Sequence, residues 1–541
     1  MNKSRLTAFL FSGLAATILL AGCDDDFFVR PPDHMLAEER FFESSDDLRR
    51  ITAPLYNVHW FDFVNGPMTD LLDARAGLIS TRDNRMAASV MLQETGAHPS
   101  IEEGWGALYN LIIQSNVIIR GIQREDSDAI SQVEKMHRIA EARFMRGMAY
   151  LYLAKLWGDV PIIPEDVNEL VDESRIRRNL RSDVLEFARR DFEFAMEFMV
   201  MEDTRTGRLD HWAAQAMLAR TYLTRAYFES NGGALVMDDL NRARNLSFDI
   251  IVNSHYRLEE TYRDVFESND TELEETIFAL QWTVDDEFLG SGNPLQTRLA
   301  HDSRITGSPV MGEHTHPSAF LVELFGYPDA IDARRRLTFM VKGDSYPELL
   351  SSEGGYQHTL GGERSTAIRK HIVGNSEDTG GRVSFLATEQ PTALVRLSDV
   401  FLTYSQSVLG DQDQTFDTRA VFYFNRIRER AGLERMNRFS YEDLIHERMR
   451  EFAFEGRAWF DLVRYYEFRP QEAIAFINNQ NRQAFVTIDP EEPAGYVISD
   501  PGQSPGIGAE VFRLPLPASD VAYNPLLQDE PIPYDFGDSD E

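Results

Sequence analysis

The stretch HWAAQAMLARTYLTRAYF at residues 211–228, followed after a polar turn by LNRARNLSFDIIV at 240–252, carries the reading on which the fold depends. Both segments repeat apolar residues at spacings of three and four, the period of an amphipathic helix. Ala216, Ala219 and Ala243 are small where two helices would approach closely, with Tyr222 on the same side. A short loop between two such segments predicts an antiparallel helix pair.

The small-residue pattern is that of a tetratricopeptide unit, a repeat that buries its apolar face only by stacking on neighbours. Working outward, similar pairs are expected near 105–157 and 392–431. Further helices are expected over 39–56, 184–198 and 441–466. Only 276–283, alternating and rich in β-branched residues, and some short C-terminal runs read as strands. Gly, Pro, Ser and Asp cluster in 285–317, 343–392 and 489–505, loops long enough to be functional. The expectation is a mostly α protein: helix pairs forming a scaffold, long irregular loops and a few short strands.

Composition narrows the function. The 541 residues are 43% apolar and 26% charged, as in a globular chain. Against 54 basic residues stand 88 acidic ones, a net charge of −34 that disfavours nucleic acid. Only Lys3, Lys135, Lys155, Lys342 and Lys370 are lysines. A surface of arginine and carboxylate fits either genome composition or a saline habitat.

The single cysteine excludes disulfide frameworks and cysteine metal clusters. Cys23 follows Lys3, Arg5, an apolar run from Leu6 to Leu20, and Ala21-Gly22. Residues 1–22 therefore read as a lipoprotein signal peptide, with Cys23 as the acylated residue that anchors the protein to a membrane without spanning it. Residues 23–33 form a tether, in which Asp24, Asp25 and Asp26 read as a signal for export through the outer membrane. Residues 34–541 read as one α-rich body.

Candidate chemistry is sparse. Glu447, Glu451 and Glu455 fall on one face of the expected 441–466 helix beside Arg448, Arg450, Arg457 and Arg464, and read as an internal ion-pair network. His301, His314 and His316 share a loop without a metal-motif spacing and read as surface histidines. Asp411, Asp413, Thr415 and Asp417 imitate a calcium loop, but Phe416 and Phe422 occupy the positions that need glycine and glutamate. No phosphate-cradling glycine loop or nucleophile elbow is present. No cofactor, metal or catalytic residue is assigned.

In order and spacing, a set of short motifs resembles the SusD/RagB family of surface lipoproteins. They are Phe27-Phe28 with Pro32; Trp105-Gly-Ala-Leu-Tyr109 before Asn116; Glu141-Ala-Arg-Phe-Met-Arg146 leading to Leu156-Trp-Gly-Asp-Val-Pro161; Ala219-Arg-Thr-Tyr222; Pro317-Ser318 before Asp332-Ala-Arg334; Asn425-Arg-Ile-Arg-Glu-Arg-Ala-Gly432; Glu447-Arg448 through Glu455-Gly-Arg457 to Asp461-Leu462; and Pro515-Leu-Pro517 before Asn524-Pro525. Tyr404-Ser-Gln-Ser407 departs from the family's Ala-Glu-Ala type sequence and reads as altered helix packing.

The resemblance implies a scaffold facing a SusC-type TonB-dependent transporter, and irregular segments, near 57–104 and 283–391, that present a nutrient, above all a glycan. It implies an outer-membrane protein, lipid-anchored and facing the exterior, that binds and does not cleave. A peptide or other non-sugar nutrient is the alternative within that role, and an anchored glycoside hydrolase the alternative from another class. Aromatics outside the helical period in those stretches point to Trp60 and Trp282 as sugar-stacking platforms, with Arg75 and Arg85 as hydrogen-bond donors. Phe288, Arg304 and His314 lie in the same loop as the second platform.

Overall fold

The computed structural model describes residues 44–537, apart from 126–128, 166–174, 202–206, 231–232, 268–273, 285–288, 330 and 500–503. Its scaffold consists of seven helices: α1 (Pro99–Gln123), α2 (Gln132–Leu156), α3 (Arg181–Phe198), α4 (His211–Phe228), α5 (Met237–Asn253), α6 (Leu397–Leu409) and α7 (Thr418–Arg430). Each packs on the next, α5 on α6 despite the long sequence gap between them. The ends follow local chemistry. Ser131, Asp210 and Asp417 cap the N-termini of α2, α4 and α7 through their side chains, and Pro99 occupies the first turn of α1. The anticipated small contacts are present, with Ala216, Ala219, Tyr222 and Ala243 all buried.

Between α5 and α6 the chain makes one long excursion, and its two ends are bonded together. Strand Thr276–Leu280 pairs antiparallel with Thr392–Arg396. Residues 392–396 therefore form a strand rather than the start of a helix, and α6 begins at Leu397. β-branched Thr392 and Val395 favour the extended chain there. Inside the excursion lie short helices and two-stranded pairings such as Phe339–Val341 with Thr366–Ile368; its strand Thr315–Pro317 pairs with Ile79–Thr81 of the N-terminal segment, and the C-terminal segment adds a hairpin of Phe485–Ile488 with Tyr496–Ser499. The excursion, the N-terminal segment and this hairpin together make an irregular layer beside the scaffold.

The expected single helix over 441–466 is two helices, α8 (Tyr441–Glu451) and α9 (Ala458–Phe468). Phe454 and Gly456 between them are left-handed, with φ of 60° and 66°. A Cβ on Gly456 would stand 2.7 Å from Met68 Cγ, so only glycine lets the two segments meet.

Glu447, Glu451 and Glu455 form the internal ion-pair network that their arginine neighbours suggested, joined from outside the helices by Arg334 and Arg396. All five side chains are buried. The 404–407 departure is accommodated within the packing. Ser405 donates back to the Phe401 carbonyl, while Gln406 donates to the Tyr441 hydroxyl and accepts from Arg464.

Cys23 and Asp24 to Asp26 lie outside the described residues. No helix among the described residues is long and apolar enough to cross a membrane.

Candidate functional site

The largest change from the expected site concerns its aromatic rings. Residues 58–64 are a short helix, not a loop, and its inward face is Trp60, Phe63 and Val64. Trp60 is 1% exposed, edge-on to Phe63 and Tyr152. Trp282 is 7% exposed and donates from Nε1 to Thr392 Oγ1 at 3.0 Å, which ties it to the returning strand. Neither ring offers a face to a sugar, and the stacking-platform assignment is corrected accordingly. The i, i+3, i+4 spacing of Trp60, Phe63 and Val64 was a core signal present in the sequence.

Arg75 is also interior. It ion-pairs with Glu94, donates to the Val511 carbonyl and lies 4.4 Å from the centre of the Trp459 ring, fastening the N-terminal segment to the C-terminal one. Of the histidine trio only His314 is exposed. His301 and His316 are buried, with burial pushing the His301 imidazole down to about 3, so the surface reading is corrected for those two. Phe288 lies outside the described residues. Arg304 is exposed and paired with Asp302 at 2.6 Å.

Arg85 remains at the surface, and it marks the place where the N-terminal segment meets the excursion. An open concavity of about 640 Å³ is lined there by Asp62, Asn65, Arg85, Glu103, Arg298 and Met311. Asp62 and Asn65 project from the outer face of the helix that buries Trp60. Arg298 and Met311 come from the excursion, which is held alongside by the Ile79–Thr81 strand pairing and by the Arg82 amide donating to the His314 carbonyl at 3.0 Å. The heads of Arg85, Arg298 and Glu103 all come within 4 Å of where a Cβ on Gly66 would stand. Bare backbone at Gly66 gives them room to converge.

The concavity has a charged floor. Asp70, wholly buried, accepts from the Ser100 hydroxyl at 2.5 Å and has Arg85 and Arg298 each 3.5 Å away. Burial pushes the Asp70 carboxyl up, against the pull of Arg298, the Ser100 hydroxyl and Arg85. The floor thus holds two guanidinium groups in place, Arg298 also donating to the Asn65 carbonyl at 3.0 Å. Planar donors beside carboxylate and amide acceptors suit the vicinal hydroxyls of a sugar. Met311, 62% exposed, supplies an apolar contact. Sequence reasoning missed Asp62, Asn65, Glu103, Arg298 and Met311. For Asp62 and Asn65 the signal was their polar spacing opposite Trp60, while no local feature singled out the other three.

Among the described residues no cluster of three or more His, Cys, Asp or Glu converges to hold a metal. In the calcium-like stretch, Asp417 caps α7 and Asp413 pairs with Arg469 at 2.9 Å.

Fold and site together define a class: a protein of stacked helix pairs whose irregular layer carries an open, polar concavity. The chain belongs to the SusD family. The SusD family model matches residues 259–532, and a second, described as starch-binding associating with outer membrane, matches 62–223. The chain is 32% identical over 547 residues to a SusD-like protein of Bacteroides ovatus, covering 97% of this chain and 98% of the relative. It is 24% identical to the starch-binding protein SusD of Bacteroides thetaiotaomicron, over 63% of this chain and 66% of the relative. A crystal structure with xylogluco-oligosaccharide superimposes with a TM-score of 0.83 at 30% identity, covering 90% of this chain and 99% of the other.

Proposed function

We propose that this protein is a cell-surface lipoprotein that binds a glycan on the concavity between its N-terminal segment and the excursion, and passes it to a SusC-type TonB-dependent transporter in the outer membrane. The observation that carries the reading is the convergence of Arg85, Arg298, Asn65 and exposed Met311 at one concave surface. It is supported by the 30%-identical structure holding a xylogluco-oligosaccharide, which makes neutral β-glucans the first ligands to try. Cys23 anchors the chain, Asp24 to Asp26 direct it to the exterior, and the helical scaffold faces the transporter. The chain binds without cleaving.

Affinity electrophoresis of the body lacking residues 1–23 in gels containing xyloglucan, laminarin, starch or a protein control tests this directly, with reducing ends assayed in parallel. Retardation by a glycan without new reducing ends is expected. Released reducing ends would make the protein a hydrolase, and retardation by none of the glycans would refute the ligand class. Affinity purification of the full chain from detergent extracts should recover a TonB-dependent transporter; repeated recovery of none would overturn the partnership.

A further inference from the structure

The concavity sorts its charges by depth. Its lining has four charged side chains, Asp62, Arg85, Glu103 and Arg298, and Asp70 lies beneath them. Asp70 is wholly buried, the Arg298 side chain is 14% exposed, Arg85 35% and Glu103 45%, and Asp62 stands exposed on the outer face of its helix. His98 also acts on Asp70 but brings no charge. Its Nδ1 accepts from the Ser100 amide at 3.2 Å and its Nε2 donates to the Arg85 carbonyl at 2.9 Å, the pattern of a neutral ring. Two guanidinium groups therefore meet three carboxylates, and carboxylates hold both the bottom and the rim.

The guanidinium groups are already engaged. Arg85 ion-pairs with Glu103 through Nη2, stands 3.5 Å from Asp70 at Nε, and directs both nitrogens to the Ser100 hydroxyl at 3.2 and 3.4 Å. Arg298 donates from Nη1 to the Asn65 carbonyl at 3.0 Å and turns Nη2 toward Asp70 at 3.5 Å. A site built to grip a carboxylate presents an open guanidinium fork to it. Here both forks are set against the protein's own acceptors, and an anionic guest could pair with Arg85 Nη2 only by displacing Glu103. Arg85 Nη1 is left for a single hydrogen bond to a hydroxyl.

Asp62 completes the arrangement. It makes no ion pair among the described residues, so its charge stands uncompensated at the mouth of the concavity. An unpaired charge placed where the wrong ligand would bring a like charge is a means of rejecting that ligand.

We propose that Asp62 and Glu103 set the specificity of the concavity, turning away sugars that carry a carboxylate or sulfate and admitting uncharged ones. The inference rests on the glycan reading above and adds to it which glycans are refused and by which side chains. The test is calorimetric titration into the protein of oligosaccharides of xyloglucan, laminarin and starch, each beside a counterpart whose free primary hydroxyls have been oxidised to carboxylates. The quantity read is the ratio of the two affinities. At low salt the neutral oligosaccharide should bind at least about tenfold tighter, and Asp62→Asn/Glu103→Gln should bring the ratio below about threefold, the scale of one or two unit-charge repulsions at a solvated surface. In 1 M salt, where the screening length is about 3 Å, the wild-type ratio should shrink in the same way. Glu197→Gln/Asp238→Asn, an equal change of charge on exposed residues of α3 and α5, should leave the ratio as it is. Should the double variant at the concavity fail to fold, Asp62→Asn alone decides and should narrow the ratio at least about twofold.

A ratio unchanged in the Asp62 and Glu103 variants overturns the inference. So does a ratio narrowed as much by the Glu197 and Asp238 variant, which would assign the effect to the −34 charge of the whole chain. Equal or tighter binding of an oxidised probe by the wild type overturns it while leaving the glycan reading standing. Binding of none of the neutral probes overturns the glycan reading, and this inference with it.

Discussion

Glu275 and Arg396 meet at 2.5 Å with neither side chain exposed, at the point where the chain leaves the helical scaffold and where it returns. The Leu397 amide also donates to the Glu275 carbonyl, so backbone and side chain close the excursion together. Arg396 reaches beyond Glu275 to Glu451 and Glu455, linking this closure to α8 and the turn after it. The irregular layer is thereby attached to the scaffold by a buried charge network.

Arg396→Ala leaves three buried carboxylates short of a partner. Breaking a buried pair by removing one side costs about 3–5 kcal/mol. Chemical denaturation should show a loss of that size, and a loss under about 1 kcal/mol would mean that the network is not what holds the layer.

Trp60 and Met311 should separate core from surface. Trp60→Ala removes a fully buried ring and should cost about 3–5 kcal/mol of stability. Met311→Ala should leave the denaturation midpoint unchanged and weaken glycan binding severalfold. A stable Trp60→Ala protein with impaired binding would restore Trp60 as a platform and contradict its placement here.

Stability should fall with acid. His301 and His371 are held neutral, their imidazoles lowered to about 3 and about 4, whereas the unfolded chain protonates them near 6.5. Below about pH 6.5 the unfolded state therefore binds more protons, and their contribution, fully present above that pH, is lost as pH drops toward 4. Glu455, held down to about 2 chiefly by Arg396 and Lys370 against its burial, acts in the same direction below about pH 4.5. Denaturation midpoints should decline steadily from pH 7 to pH 4, and a midpoint flat across that range would contradict the buried, neutral histidines.

Anchoring is tested at Cys23. Cys23→Ser should move the protein from the membrane to the soluble fraction, while replacing Asp24 to Asp26 by Ala should keep acylation and reduce protease accessibility on whole cells. Membrane retention of Cys23→Ser after a high-salt wash would refute the lipid anchor.

The scaffold was legible because it is local. Helical period, capping residues such as Asp210, and small residues such as Ala216 lie within a few turns of one another, and α4 spans exactly the residues its pattern marks. The strand at 392–396 was not, because its partner 276–280 is distant in sequence and an apolar run of that length fits either structure. Nor was the break after Glu451, which depends on Gly456 meeting Met68 across the fold. The concavity was legible only as two segments and one residue, Arg85. Trp60 and Trp282 misled because an aromatic in a polar neighbourhood reads as exposed until the helix or strand that turns it inward is known.

The central claim is that the concavity between the N-terminal segment and the excursion holds the glycan. Calorimetric titration of xyloglucan oligosaccharide, or of whichever oligosaccharide the gels identify, into wild type and Arg298→Ala measures it. Loss of one charge-assisted donor set is worth about 1.5–3 kcal/mol, so affinity should fall at least tenfold with the fold intact. Unchanged affinity in a folded Arg298→Ala protein would place the ligand elsewhere.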